Sequence, residues 1–207
     1  WSNRLKEFGA NVIYGLQHLK VHSKLLQIRR ISDGKTQYIT YIGTGNFNEA
    51  TATVYTDLGL LTADKDISLE VSRVFGMLEN NLERHTFRNL LVSPFNTRRK
   101  LMALIDNEIK IAKAKKPAHI RLKINNLTDI KLIEKLYAAS KAGVQIELII
   151  RGICCLKPGV KGLSENITAI SIVDRYLEHA RFLICSNNGN PTYYISSADW
   201  MERNLDQ

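Results

Sequence analysis

The histidines His22 and His179 are each followed, two residues on, by a cation. His22 stands with Lys24 in Val21-His22-Ser23-Lys24-Leu25-Leu26, and His179 with Arg181 in Glu178-His179-Ala180-Arg181-Phe182-Leu183. Imidazole titrates near neutral pH, so one ring can attack as a neutral base while another carries a proton. A fixed positive charge beside it suits chemistry on phosphate, where negative charge must be held while a bond changes. One such triplet is a cheap pattern. The second copy raises its value, because the residues after each triplet also match. The first continues through a turn at Asp33-Gly34, a returning run Tyr38 to Ile42, and Gly43-Thr44-Gly45-Asn46-Phe47. The second continues through a turn at Asn187 to Asn190, a return at Tyr193 to Ile195, and Ser196-Ser197-Ala198-Asp199-Trp200. Each reads as strand, turn, strand, then small polar residues. On a strand alternate residues share a face, so His22 and Lys24 are expected to project together. A duplicated α/β unit would set the two histidine strands across a pseudo-two-fold axis, with both rings in one cleft. Paired imidazoles can split a phosphoryl transfer into two steps through a phosphohistidine. Lys24, Arg181 and Arg151 would hold the phosphate oxygens.

The elements that must position these residues are set by periodicity and turn chemistry. Ser2 to Phe8 reads as a helix tail closed by Gly9, and Asn11 to Tyr14 as a short strand. Leu25 to Ile31 and Thr36 to Ile42 form a hairpin about Asp33-Gly34. Glu49 to Leu61 reads as irregular. Val71, Val74, Phe75, Leu78 and Leu82 have helical spacing, with Asp64 or Asp66 as cap. After Pro94 a long helix carries Leu101, Leu104, Ile105, Ile109 and Ala112 inward, capped by Thr97, and Pro117 stops it. His119 to Ile124 is a strand, Thr128 to Ala142 a helix closed by Gly143, and Val144 to Ile150 a buried strand. Arg151-Gly152 lies at the C-terminal end of that strand, where open α/β sheets bind ligands. Ala169 to Val173 is a further strand. These alternations predict an α/β protein of two related domains, residues 1–90 and 91–207.

The 207 residues have 44% hydrophobic and 24% charged side chains, the balance of a soluble globular chain. No apolar run approaches the ~20 residues that span a bilayer. The chain opens on Trp1 with no signal peptide, which reads as an excised piece of a longer cytoplasmic protein. Cys154, Cys155 and Cys185 lack metal spacing and read as reduced thiols, the adjacent pair packing under the Arg151 loop. The net charge of +9 favours a polyanionic partner and is compatible with peripheral association with an anionic membrane. His18 reads as a loop residue, His85 and His119 as surface or packing residues, and Trp200 as a core anchor. Gly43-Thr44-Gly45-Asn46 reads equally as a plain turn or as a phosphate-facing loop with free backbone N–H groups.

At these residues the chain resembles the polyphosphate kinase family, of the histidine-phosphorylating type. The likeness covers Asn11-Val-Ile-Tyr-Gly-Leu, Val21-His-Ser-Lys, Ile42-Gly-Thr-Gly-Asn and Tyr55-Thr-Asp-Leu-Gly-Leu-Leu-Thr. It continues through Ile150-Arg-Gly-Ile-Cys-Cys-Leu, Gly162-Leu-Ser-Glu-Asn-Ile, Leu177-Glu-His-Ala-Arg and Ser197-Ala-Asp-Trp-Met. The resemblance implies two phospholipase D-like α/β domains related by duplication, the first lacking its N-terminal part. It implies His22 as the nucleophile that takes the γ-phosphate of ATP and His179 as the general acid/base. It also implies Arg151 as a grip on phosphate and Tyr55 as a stack for adenine. The implied reaction is reversible, between ATP and inorganic polyphosphate on one side and ADP and a longer chain on the other. Mg²⁺ would be bound mainly through the nucleotide phosphates. The resemblance further implies a homo-oligomer in the full-length protein and no nucleic-acid partner. Two departures stand out. Hydrolases of the superfamily carry an Asp five residues after the lysine; here that position is Arg29, and after Arg181 it is Ser186. This weighs against the alternative, a phosphodiesterase acting on lipid or nucleic acid, and it leaves the orienting partner of each histidine unidentified. The family also has a further strand and a phosphate-gripping arginine upstream of Trp1, and N-terminal domains as well. The piece by itself is therefore not expected to hold the complete machinery.

Overall fold

Strand-forming residues fall into two groups separated by a helical stretch, and the chain folds accordingly into two larger sheets with helices against them, joined by a third sheet of two short strands. The computed structural model describes residues 1–15, 19–80 and 86–206. In the first half, α1 (Ser2–Glu7) buries no residue. β1 (Lys24–Ser32) and β2 (Lys35–Gly43) pair antiparallel in a register that runs from Lys24↔Gly43 to Ser32↔Lys35. Their turn places Asp33 at φ 52° and Gly34 at φ 70°. That pair of left-handed residues gives the turn the twist of the strands it joins. α2 (Glu49–Ala52) is capped by the Asn48 side chain. β3 (Tyr55–Thr56) comes next, then β4 (Gly59–Thr62), antiparallel to β2. α3 (Lys65–Glu79) starts at Asp64, whose side chain accepts from the Ile67 N–H. It packs on the hairpin through hydrogen bonds as well as apolar contact. Thr40 Oγ1 donates to Ser68 Oγ at 2.9 Å, and Gln27 Nε2 donates to the Ser68 carbonyl at 2.7 Å.

The second half holds the core. Its elements are α4 (Thr97–Lys113), β5 (His119–Ile124), α5 (Ile130–Lys141), β6 (Gln145–Ile150) and β7 (Ile167–Ile170). They continue with β8 (Leu177–Glu178), β9 (Arg181–Cys185), β10 (Thr192–Ser196) and α6 (Glu202–Leu205). The five-stranded sheet has the order β10-β9-β5-β6-β7, with β5, β6 and β7 parallel and β9 antiparallel to β5. Ile120, Leu122, Ile124, Ile146, Leu148 and Leu183 point from the sheet into a buried cluster with Leu101 and Ile105 of α4 and Leu132 and Leu136 of α5. Each such side chain contributes about 1.5–3 kcal/mol on burial, so the second half is the rigid platform of the site. α4 and α5 are tied by Arg98, which holds Asp129 at 2.6 Å and Asp206 at 2.6 Å. Asp129 also caps α5 by accepting from the Leu132 N–H.

β3 and β8 make a two-stranded parallel ladder in the register Tyr55↔Leu177 and Thr56↔Glu178. The Thr56 carbonyl goes on to accept from the N–H groups of both His179 and Ala180, at 3.2 and 2.9 Å. This short ladder stitches the first half to the second beside His179.

The α/β class and the repeated hairpins agree with the sequence reading. Several local expectations do not. Asn11 to Tyr14 has no strand, and its residues stand largely exposed without a ladder partner among the described residues. Glu49 to Leu61 is not irregular but contains α2, β3 and the start of β4, elements too short for periodicity to reveal. Thr97 is the first residue of α4 and not its cap; Asn96 precedes it and its Oδ1 is occupied by the Val92 N–H. β6 is buried on one face only, since Gln145 and Glu147 are exposed. β7 begins and ends earlier than expected, at Ile167 and Ile170. Cys154 and Cys155 are exposed and do not pack under the loop, whereas Cys185 is buried. Burial pushes the Cys185 thiol up to about 12. Trp200 is buried, and its carbonyl accepts from the N–H groups of Thr128 and Asp129. His119 is exposed. His18, His85 and Leu82 lie outside the described residues. Among the described residues no helix is long and apolar enough to cross a membrane.

Candidate active site

Neither histidine sits within a strand. β1 begins at Lys24, two residues after His22, and β9 begins at Arg181, two residues after His179. The alternation argument thus fails in detail while its result survives. Lys24 Nζ donates to the His22 carbonyl at 2.6 Å and lies 3.2 and 3.1 Å from the two ring nitrogens. The in-plane directions of those nitrogens diverge, so near-equal distances put the ammonium against the ring and not in line with either one. Arg181 repeats the backbone half of this arrangement, with Nη1 donating to the His179 carbonyl at 2.8 Å. Each cation therefore folds back on its own histidine and fixes the loop that carries it.

The halves meet at these groups. The Ser197 backbone lies beside the His22 ring and favours its protonated form, so a residue of the second half faces the histidine of the first. His179 in turn is oriented from the first half: its Nδ1 lies 2.8 Å from Asp57 Oδ1. A carboxylate only accepts, so Nδ1 carries the proton and Nε2 keeps its lone pair. Asp57 is the orienting residue that reading the sequence missed. The hydrolase pattern placed it five residues after the cation, but it arrives from Tyr55-Thr56-Asp57-Leu58, a segment whose sequence carries no periodic signal. The Tyr55 ring stands 4.9 Å from the His179 ring, tilted by 48°.

Three cations close the site. Lys24 and Arg181 are both buried. Arg181 Nε pairs with Asp199 Oδ1 at 3.0 Å, and Asp199 also accepts from the Asn125 N–H and from Asn126 Nδ2. Asn125, its amide oriented by its neighbours, accepts from Arg181 Nη2 at 2.6 Å and Arg151 Nη2 at 3.2 Å. Arg151 Nη1 is buried with no hydrogen-bond partner among the described residues, a donor placed for an oxygen from outside. Lys123, also buried, bonds the Ala180 carbonyl and Glu178 Oε2, each at 2.9 Å. Sequence reasoning gave no role to Asn125, Asp199 or Lys123; they sit at the C-terminal ends or interior of sheet strands, which is the one signal that could have found them.

The crowding sets the electrostatics. Burial lowers the His22 pKa, and Lys24, Arg181 and Lys20 lower it further against the Ser197 hydrogen bond. Burial also lowers His179, helped by Arg181 and Arg151 and opposed by Asp57. Lys24 is lowered to about 8, chiefly by burial and then by Arg181, with Asp57 pulling the other way. Arg181 thus acts on His22, Lys24 and His179 alike, and Asp57 acts on both His179 and Lys24. Such shared partners mark one cleft, with both rings neutral near pH 7. Among the described residues no group of three or more His, Cys, Asp or Glu side chains could hold a metal ion. Asp57, Glu178 and Asp199 are already engaged by protein donors, so these carboxylates do not fit a protein-held magnesium.

The Gly43-Thr44-Gly45-Asn46 segment does not offer its first groups to a phosphate. Thr44 is fully buried, and its N–H donates to the Leu58 carbonyl at 2.9 Å.

Comparison with known proteins then decides the family. The family model described as polyphosphate kinase C-terminal domain 2 matches residues 90–207, and that of polyphosphate kinase C-terminal domain 1 matches residues 1–84. The chain belongs to the polyphosphate kinase family. It is 56% identical over 207 residues to a polyphosphate kinase of Vibrio parahaemolyticus, covering all of this chain and 30% of that protein. Over 206 residues it is 52% identical to a polyphosphate kinase of Escherichia coli K12, again covering all of this chain and 30% of that protein. The crystal structure of polyphosphate kinase from Porphyromonas gingivalis matches with a TM-score of 0.91 at 42% identity, over 99% of this chain and 32% of that one. The chain thus spans about 30% of the length of the curated relatives it matches. Membership in the polyphosphate kinase family sets aside the phosphodiesterase alternative. It also accords with a doubled phospholipase D-like α/β fold.

Proposed function

We propose that these residues form the phosphotransfer centre of an enzyme that reversibly moves the γ-phosphate of ATP to an inorganic polyphosphate chain. The observation that carries this reading is a pair of imidazoles from the two halves enclosed by Lys24, Arg151 and Arg181, with Asp57 on Nδ1 of His179. In the first step the free ring nitrogen of His22 attacks the γ-phosphorus. The N–P bond forms as the bond to the bridging oxygen breaks, and ADP leaves with that electron pair. The other ring nitrogen keeps its proton, for which the nearby Ser197 backbone would be the acceptor. In the second step a terminal oxygen of polyphosphate attacks the same phosphorus, the N–P bond breaks, and His22 is restored. The three cations hold the equatorial oxygens throughout. His179 Nε2 takes a proton from the accepting phosphate, or returns one to the leaving group, while Asp57 steadies the imidazolium that forms. Tyr55, tilted against His179, is the platform for the adenine ring. Mg²⁺ would arrive on the nucleotide phosphates and supply charge neutralisation there. The site is divided between two catalytic domains, residues 1–90 and 91–207, of a longer cytoplasmic protein that assembles as a homo-oligomer.

The test uses the full-length protein with ATP labelled at the γ-phosphate. Acid-labile, alkali-stable label at His22, lost in His22→Ala, is the expected result. Label that persists in His22→Ala, or polyphosphate made without any labelled protein intermediate, would overturn the reading.

A further inference from the structure

Thr44 is fully buried and its hydroxyl has a single proton to give. Its Oγ1 accepts from the Leu58 N–H at 2.9 Å, which fixes the oxygen. Two acceptors lie within reach of the proton: Asp57 Oδ1 at 2.6 Å and the Leu58 carbonyl at 3.3 Å. The Leu58 carbonyl already receives the Thr44 N–H at 2.9 Å, so the shorter contact takes the proton. Asp57 Oδ1 is the same oxygen that faces His179 Nδ1 at 2.8 Å. The glycines on either side complete the cradle. A methyl on Gly45 would stand 2.4 Å from Asp57 Oδ2 and 2.8 Å from its Cβ, so only glycine lets the carboxylate lie there. Gly43 and Gly59 are cross-strand partners, and a methyl on either would strike the Tyr41 ring at 2.7 or 2.5 Å. An aromatic ring laid over paired glycines stiffens the end of the β2–β4 ladder, from which Thr44 and Asp57 both project.

We propose that Gly43-Thr44-Gly45 is a positioning element for His179, in which the Thr44 hydroxyl holds Asp57 on the second-half histidine. A motif of one domain thereby sets the geometry of the acid/base in the other, where the sequence had suggested a phosphate loop or a turn. The geometry also explains why a hydroxyl is needed. Asp57 acts electrostatically on Lys24 as well as on His179, so an untethered carboxylate has a cation to turn to in place of the imidazole. Thr44 decides between them. Its role in turnover rests on the phosphotransfer reading above, but the tether itself does not.

The experiment uses the full-length protein carrying Thr44→Val, Thr44→Ser or Thr44→Cys. Histidine Cε1–H exchange, read by mass spectrometry against pH, tracks the titration of His179 without requiring turnover. Thr44→Val is expected to move that titration to lower pH and to cut the polyphosphate-forming kcat by about tenfold, the scale of one buried hydrogen bond. KM for ATP should change less than twofold. Thr44→Ser keeps the hydroxyl and should stay within about threefold of the parent rate. Where Thr44→Val fails to fold, Thr44→Cys, of similar size with a weak donor, should show the same displacement. An unmoved His179 titration in Thr44→Val or Thr44→Cys overturns the proposal, as does a Thr44→Ser variant that falls as far as Thr44→Val. A moved titration without phosphate label at His22 would instead leave the tether standing and sink the phosphotransfer reading.

Discussion

Asp57→Asn isolates the charge that the first half lends to His179. Asparagine keeps the shape of the side chain and an oxygen to accept from Thr44 and His179. What is lost is the charge across the 2.8 Å contact, at side chains only 10% and 22% exposed. A hydrogen bond to a charged group contributes about 1.5–3 kcal/mol and a neutral one about 0.5–1.5. The difference, roughly 1–1.5 kcal/mol, corresponds to about five- to fifteen-fold in rate. The variant also acts on protonation. Asp57 raises the His179 pKa by hydrogen bond and by charge, against burial, Arg181 and Arg151. Without the charge, the depression deepens and His179 becomes a weaker base. Turnover of ATP into polyphosphate by the full-length variant is therefore expected to fall by that factor at neutral pH. The His179 titration, monitored by Cε1–H exchange, is expected to move to lower pH. A variant within twofold of the parent rate, with His179 titrating as before, would refute the claim that Asp57 orients and supports this ring.

Lys24 is charged below a pKa of about 8 and neutral above it, so its hold on phosphate weakens as pH rises through about 8 instead of the ordinary 10.5. Activity of the full-length protein should show an alkaline limb near pH 8, and in Lys24→Arg, which stays charged, that limb should move to higher pH. His22 must be neutral to attack, and its pKa lies below 6.5, so activity should persist on acidification past that value before it falls. Asp199→Ala would leave the Arg181 charge buried and unpaired, together with the Asn125 N–H and Asn126 amide. It should destabilise by about 3–5 kcal/mol, read as a lowered denaturation midpoint of the domain, with Asp199→Asn costing visibly less. Asp129 and Asp206 are held below their ordinary pKa chiefly by their hydrogen bonds to Arg98. Their contribution is present above about pH 4 and is lost as pH falls through their lowered values. Arg98→Ala should flatten this acid limb of the stability profile.

Much of the scaffold was legible because its cause is local. Asp33-Gly34 specifies its hairpin through two left-handed residues, and the periodic residues of α3, α4 and α5 give those helices away. The errors fell on elements that no local rule governs. α2, β3 and β4 are too short to show a period, and β3 exists because it pairs with β8, which lies about 120 residues on. Alternation puts His22 on a strand, yet it faces the cleft because Lys24 folds back onto it.

By itself the sequence determined the chemistry present: two histidines each succeeded by a cation, in two matched hairpin units, in a chain of net charge +9. Those are matters of residue type and spacing, which a linear reading contains. Only the tertiary structure decided which group orients which histidine, because each answer crosses from one half to the other. Asp57 reaches His179 from the first half and Ser197 reaches His22 from the second. A hydrogen bond about 3 Å long is set by how β3 lies on β8 and how two sheets meet, and separations of more than 100 residues leave no trace of that in the order of the chain.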